Sequence, residues 1–339
     1  MFMLKKLIAI SLLCAASQIS FSQDDLVGEY KGTIEGKKGY PFDNNKEMCA
    51  QISKHADGYK LRILPELFKR SDDVAFASAL KAKDGKIEIK DLGYWKLNGE
   101  VENGEIKLRG REGKNDFTIK LKKFERVSPT LGEKAPQNAK ILFDGKNTAA
   151  WKTAKGKDCV WKLTEDGAME VARDPKDPPK NQTIFSSEAF SNFKLHLEFM
   201  LPDMHKQSGQ FRANSGVFIG PYEVQILDSF NCEGLWNECG AIYRIYPPIS
   251  NAVLPSQKWQ TYDIIFEAPK FEDGKLLSLP KITVYLNGIL VQNKMEIPHG
   301  TSLPQPKRAS YKHPKPPYKI SLQDHGNPIK FRNIWVEEM

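Results

Sequence analysis

The segment Ala213-Asn214-Ser215-Gly216-Val217-Phe218-Ile219-Gly220-Pro221-Tyr222-Glu223-Val224-Gln225-Ile226-Leu227-Asp228 reads as two short strands meeting at Gly220-Pro221. Side chains of a strand alternate between the two faces of its sheet. Glu223 and Gln225 therefore point one way, and Val224 and Ile226 the other. A strand buried on one face keeps polar residues where water or a ligand meets it. A carboxylate and an amide two residues apart, roughly 7 Å at the strand rise, suit a polyhydroxylated molecule such as a sugar. A solvated outer face is the plainer reading, and the strand alone does not choose between them.

Working outward, the rest of the chain is also built of short strands. Phe193, Leu195, Leu197 and Phe199 alternate with Lys194, His196 and Glu198, the pattern of a half-buried strand, which puts His196 and Glu198 on a solvated face. Trp259–Glu267 repeats the pattern, with Asp263 expected in solvent. Asn287-Gly288 supplies a two-residue hairpin turn. Upstream, short β segments recur from Leu26 to Val127, punctuated by Asp57-Gly58, Asp84-Gly85 and Asn103-Gly104. No long helical periodicity interrupts them. The fold class is all-β: a small antiparallel barrel or sandwich, followed by a double-sheet jelly roll of the kind that commonly holds carbohydrate. Residues 23–127 read as an accessory β domain, 128–139 as a linker (Ser128-Pro129-Thr130-Leu131-Gly132 onward), and 140–339 as the domain carrying function.

The first residues set the compartment. Lys5 and Lys6, an apolar run from Leu7 to Ala16 and Ser20-Phe21-Ser22 form an expected signal peptide over 1–22, cleaved after Ser22. The run is too short to span a bilayer, and no other stretch resembles a transmembrane segment. Leu13 is bulky where a lipid attachment site at Cys14 would want a small residue, which argues against a lipoprotein. The expectation is an exported, periplasmic or secreted protein in an oxidising compartment. Cys49, Cys159, Cys232 and Cys239 remain. Cys232 and Cys239 could close a short loop as a disulfide or stay free, and sequence leaves the pairing open. The formal charge of +8 is spread among acids, with no arginine–aromatic interleaving, so a nucleic-acid partner is not expected. The basic stretch around Lys307 and Lys315 lies in a proline-rich loop, Pro298 to Pro317, long enough to border a cleft.

These residues also carry a resemblance. Leu142-Phe143-Asp144-Gly145-Lys146-Asn147, Asn214-Ser215-Gly216-Val217, Tyr222 to Asp228, Cys239-Gly240-Ala241-Ile242-Tyr243, Trp259-Gln260-Thr261-Tyr262-Asp263-Ile264, Leu322-Gln323-Asp324-His325-Gly326 and Phe331-Arg332-Asn333-Ile334-Trp335 occur in order from Lys140 to Met339. The string closely resembles the 3-keto-disaccharide hydrolase domain family, also described as 3-keto-glucoside 1,2-lyase/3-keto-2-hydroxyglucal hydratase. The resemblance implies a concanavalin-like lectin/glucanase jelly roll and an oxidised (3-keto) glycoside as substrate. A fold alone does not fix an activity, so a non-catalytic carbohydrate-binding protein stands as the alternative.

A ketone at sugar carbon 3 acidifies the carbon 2 hydrogen, so cleavage needs a base, a stabiliser of the enolate and a proton donor for the leaving group. Glu223, Asp228 and His325 are the candidate catalytic residues, with His325 titrating nearest neutrality. Arg212 and Arg332 are candidate enolate stabilisers. Asn214, Gln225 and Gln323 would bind hydroxyls, and Tyr243 and Trp259 could stack on a sugar or simply fill the core. No cofactor is demanded. A divalent metal held by Glu223, Asp228 and His325 is conceivable, although no familiar ligand spacing supports it. An ordinary glucan hydrolase fits less well, because Gln225 and Leu227 stand where a run of alternating carboxylates would be needed.

Overall fold

Alternation with period two dominates the chain, and the computed structural model is accordingly all-β, with only two short 3-10 turns and no α-helix among the described residues. These are residues 23–36, 47–68, 73–172, 182–301 and 310–339. The expected signal peptide with Cys14, and Lys307 within the proline-rich loop, lie outside them.

The first nine strands form one antiparallel sheet that curls into a nearly closed barrel. Gly28–Glu35 pairs with Glu47–His55 on one side and with Asn115–Phe124 on the other, so the first and last strands of the barrel are neighbours. Inward residues such as Tyr30, Ile52, Leu61, Leu108 and Ile119 are wholly buried and make its core. Gly32 permits the close strand approach there. A Cβ at that position would lie 2.0 Å from the Lys120 carbonyl oxygen, closer than any real contact.

The second half is a jelly-roll sandwich. One layer contains Phe193–Met200, Trp259–Glu267, Lys281–Leu286 and Lys330–Glu338; the facing layer runs Trp151–Thr153, Ile184–Phe190, Tyr318–Leu322, Ser215–Ile219, Tyr222–Ile226. Leu195, Leu197, Phe199, Ile264 and Phe331 meet Val217, Ile219, Val224, Ile226 and Leu322 in a single core. The edge strand Tyr222–Ile226 is not left bare. The Gly240 and Tyr243 amides donate to the Gln225 and Glu223 carbonyls, and the Glu223 amide donates to Thr301 Oγ1. Its unpaired backbone groups are thereby satisfied.

Two buried clasps join the halves. Arg126 donates through Nε and Nη2 to the Glu29 carboxylate at 3.0 and 3.1 Å, and also to the Ala252 and Val253 carbonyls. Asn231 Nδ2 donates to Ser53 Oγ and the Lys60 carbonyl. A separate contact, of the segment Ser128–Glu133 with the sandwich, corrects a sequence expectation. His196 and Glu198 are not solvated: they are 1% and 0% exposed beneath the segment Ser128–Glu133. Glu198 Oε1 accepts from the Gly132 amide (2.6 Å) and Asn333 Nδ2 (2.9 Å), and Asp263 Oδ2 accepts from Thr130 Oγ1 (2.6 Å). Pro129 packs over Gly288, where a Cβ would meet its ring at 2.4 Å. The hairpin glycine thus serves the docking of that segment as well as the turn.

Candidate functional site

The strand pair read first does place its polar residues together. In register, Gly216 stands beside Gln225 on one side, while its carbonyl accepts from the Gln323 amide on the other. Glu223 pairs with Phe218, which pairs with Ser321. With Val217, Val224 and Leu322 in the core, the outer face of this layer carries Glu223 and Gln225 in one strand, Gly216 and Phe218 in the next, and Ser321 and Gln323 in the third.

That face is covered rather than solvated, since Glu223 and Gln225 are only 4% and 1% exposed. Gln225 Nε2 donates to Asn214 Oδ1 (3.1 Å), and Asn214 in turn donates to the Gln210 carbonyl. The Gln225 and Gln323 Oε1 atoms are buried without a hydrogen-bond partner. A buried acceptor left unmade costs on the order of 1–3 kcal/mol, so two of them flanking a glycine mark a place where a donor-rich ligand would be favoured. Gly216 lets the carboxyl lie close against the sheet: a Cβ there would stand 2.6 Å from Glu223 Oε1. Burial pushes the Glu223 carboxyl up to about 8, and only the Arg244 charge opposes the rise. A carboxyl of this kind exchanges its proton near neutrality, as a general acid–base group must.

The loops above supply groups that the sequence reading missed. Phe211 and Trp236 are exposed aromatic rings. Gln210, beside Phe211, donates through Nε2 to the Asn237 carbonyl, tying their loops together. Trp236 packs on Tyr243 at 6.0 Å, and the Arg244 guanidinium lies over the Tyr243 ring. Loop residues carry no periodicity, and the available signal was Trp236, Tyr243 and Arg244 within one short loop.

Other sequence candidates fall elsewhere. Trp259 and Arg332 belong to the opposite layer and face away from Glu223. The Arg332 guanidinium stacks on Trp259 at 3.9 Å and donates to Glu198 Oε2 at 2.6 Å, so both are committed to the contact under Ser128–Glu133. Arg212 and Asp228 form a buried ion pair (Nε to Oδ2, 2.8 Å) that lines a separate cleft between barrel and sandwich. Burial raises the Asp228 carboxyl, against the pull of Arg212. His325 is exposed in the loop that follows Gln323. Cys232 and Cys239 are separate thiols, Cys239 held against the Tyr262 hydroxyl at 3.2 Å.

Glu223, Asp228 and His325 do not converge as metal ligands. A possible divalent-cation triad lies instead at Glu133, His196 and Asp263, whose ligand atoms are within 4.8 Å of one another. Its donors are already engaged, for His196 Nδ1 shares a proton with Asp263 Oδ1 at 2.6 Å. Burial works against the imidazolium, but Asp263 and Glu198 outweigh it and hold the group at about 9. A protonated imidazole cannot ligate, so an ion would have to displace that proton.

With this geometry in place, the comparisons with known proteins are specific. A family model, the 3-keto-alpha-glucoside-1,2-lyase-like domain, matches residues 138–337. The chain belongs to that family. A candidate glycosyl hydrolase from Parabacteroides distasonis ATCC 8503 is 36% identical, with a TM-score of 0.53 over 60% of this chain and 85% of its own. A second structure from that organism, described in the same words, is 25% identical, covering 59% of this chain and 99% of its own at a TM-score of 0.42. No curated protein matches. Membership supports a carbohydrate-related hydrolytic function for the sandwich; the barrel lies outside the matched residues.

Proposed function

We propose that this family member is an exported enzyme that cleaves 3-keto-glycosides by elimination across sugar carbons 1 and 2, followed by hydration. The observation that carries the reading is the buried Glu223 carboxyl packed against Gly216, its pKa raised to about 8, on a face that also holds two unpartnered amide oxygens. Ordinary glycosidases use two opposed carboxyl groups. Here one buried carboxyl faces amides, which suits removal of a single carbon-bound proton.

In the proposed sequence, the Glu223 carboxylate removes the proton on carbon 2, and the electron pair moves onto the carbon 3 oxygen as an enolate. Arg244, the cation nearest Glu223 in its electrostatics, stabilises that charge. The enolate collapses, the bond from carbon 1 to the leaving oxygen breaks, and that oxygen takes a proton, for which His325 at the exposed rim is the candidate donor. Water then adds across carbons 1 and 2, its hydroxyl to carbon 1 and its proton to carbon 2, so the net change is hydrolysis. Gln225 and Gln323 accept from substrate hydroxyls, Asn214 holds Gln225, and Phe211 and Trp236 offer faces to the sugar's C–H surface.

The test is release of aglycone from a 3-keto-glucoside by the mature protein, compared with Glu223→Gln. The variant is expected to lose turnover while still binding sugar. Retained turnover in Glu223→Gln, or none with the natural chain across several linkages, overturns the proposal. The latter outcome joined to sugar binding would favour a non-catalytic binding protein.

A further inference from the structure

The cleft between barrel and sandwich is a second site, apart from the chemistry at Gly216. It encloses about 750 Å³, within the range of roughly 300–1,000 Å³ typical of small-molecule pockets. Its sandwich side carries the Arg212–Asp228 pair, and its barrel side carries Ser53 and Lys54. The halves are fixed around it by Arg126, so both walls are held in place.

Three features define what would fit. Acidic and basic side chains line the cleft in equal number, six of each, so it selects for neither an anion nor a cation. Asp228 is 2% exposed, and its Oδ1 is buried without a partner, although Oδ2 is held by Arg212. A carboxylate beside a guanidinium sets acceptor and donor side by side, the pattern that neighbouring hydroxyls match. Apolar walls from Phe124, Phe230 and Leu254 give a surface for C–H groups. A ligand that is neutral, rich in hydroxyls and apolar on one face is a carbohydrate.

We infer that the barrel and the sandwich together form a binding cleft for unoxidised neutral sugar units, held between the Arg212–Asp228 pair and the barrel wall at Lys54. This rests on the carbohydrate reading above and adds to it a place for sugar residues that do not react. It also gives the barrel a task, as one wall of that cleft.

The experiment is calorimetric titration of the full mature chain with neutral unoxidised oligosaccharides (malto-, cello- and laminari-series, disaccharide to hexasaccharide). Ser256→Trp and Lys258→Trp place an indole at the cleft, the second at an exposed position that tolerates it. At least one series is expected to bind, and either variant to raise its Kd by about tenfold or more, a change of roughly 1.4 kcal/mol. Glu223→Gln should leave that Kd unchanged, and both tryptophan variants should still turn over a 3-keto-glucoside with a small aglycone. No binding by any series, or equal binding by both folded tryptophan variants, overturns the inference. Turnover reports on Gly216 and Glu223, and oligosaccharide binding on the cleft, so the two proposals fail separately.

Discussion

Replacing Gly216 with alanine is the sharpest probe of the proposed chemistry. The added methyl would stand 2.6 Å from Glu223 Oε1 and 3.1 Å from Glu223 Cγ and the Phe218 ring. Ordinary contact begins near 3.4 Å, so the carboxylate must move by about 0.8 Å. The obstructed atom is the far end of a side chain, so the fold should survive, with an overpacking cost of about 1–3 kcal/mol. Catalysis is less forgiving, since a displacement near 1 Å costs on the order of 100-fold in rate. We therefore expect Gly216→Ala to remain folded, to lose on the order of 100-fold in kcat/KM for aglycone release, and to melt only a few degrees lower. The pH profile sharpens the test. A base whose pKa is about 8 is active when deprotonated, so kcat/KM of the natural enzyme should rise with pH and level off above that value. Unchanged kcat/KM in a folded Gly216→Ala protein, with the same pH limb, would refute the assignment of Glu223.

Further consequences can be measured. Because the folded state holds the Glu223 proton up to about 8, stability should fall as pH rises from the ordinary carboxylate range through 8. Glu223→Gln should remove that slope, so thermal melts of the variant and the natural chain diverge progressively over this interval, by an order of a few kcal/mol at the alkaline end. His196 behaves in a related way: its folded value of about 9 gives stability that is complete below the unfolded value near 6.5 and lost as pH climbs through 9. Asp263→Asn should weaken this, Glu198 remaining, and hasten proteolysis within residues 128–139, read by timed digestion. Arg126→Ala leaves the 2%-exposed Glu29 without its buried cation, at a cost of about 3–5 kcal/mol. Calorimetry should register the loss, and small-angle scattering should show the barrel swinging from the sandwich.

What could be seen in the sequence was what is local. The alternation of Phe193, Leu195, Leu197 and Phe199 marks a strand because its inner face is apolar whatever lies outside. The same alternation made His196 and Glu198 look wet, since nothing local reveals that Ser128–Glu133 folds back to cover them. Trp259 and Arg332 were chemically apt for a sugar site but sit in the wrong layer, and residue type does not encode the layer. For Asp228 the signal was present. It lies five positions from Glu223, an odd number, and parity alone puts it off the face shared by Glu223 and Gln225. Phe211, Trp236 and Arg244 arrive on loops whose paths depend on the whole sandwich, and only their composition hinted at a role.

The adjacency of the barrel's first and last strands has a consequence for descent. A module whose entry and exit lie side by side can be spliced into or out of a lineage without rerouting the host chain. The Parabacteroides relative accounts for most of its own length with only three fifths of this chain, as such gain or loss would leave it. Yet excision here would strip the carbonyls of Ala252 and Val253 and the amide of Asn231 of their guests. The module is therefore easy to place by its ends and hard to remove by its bonds.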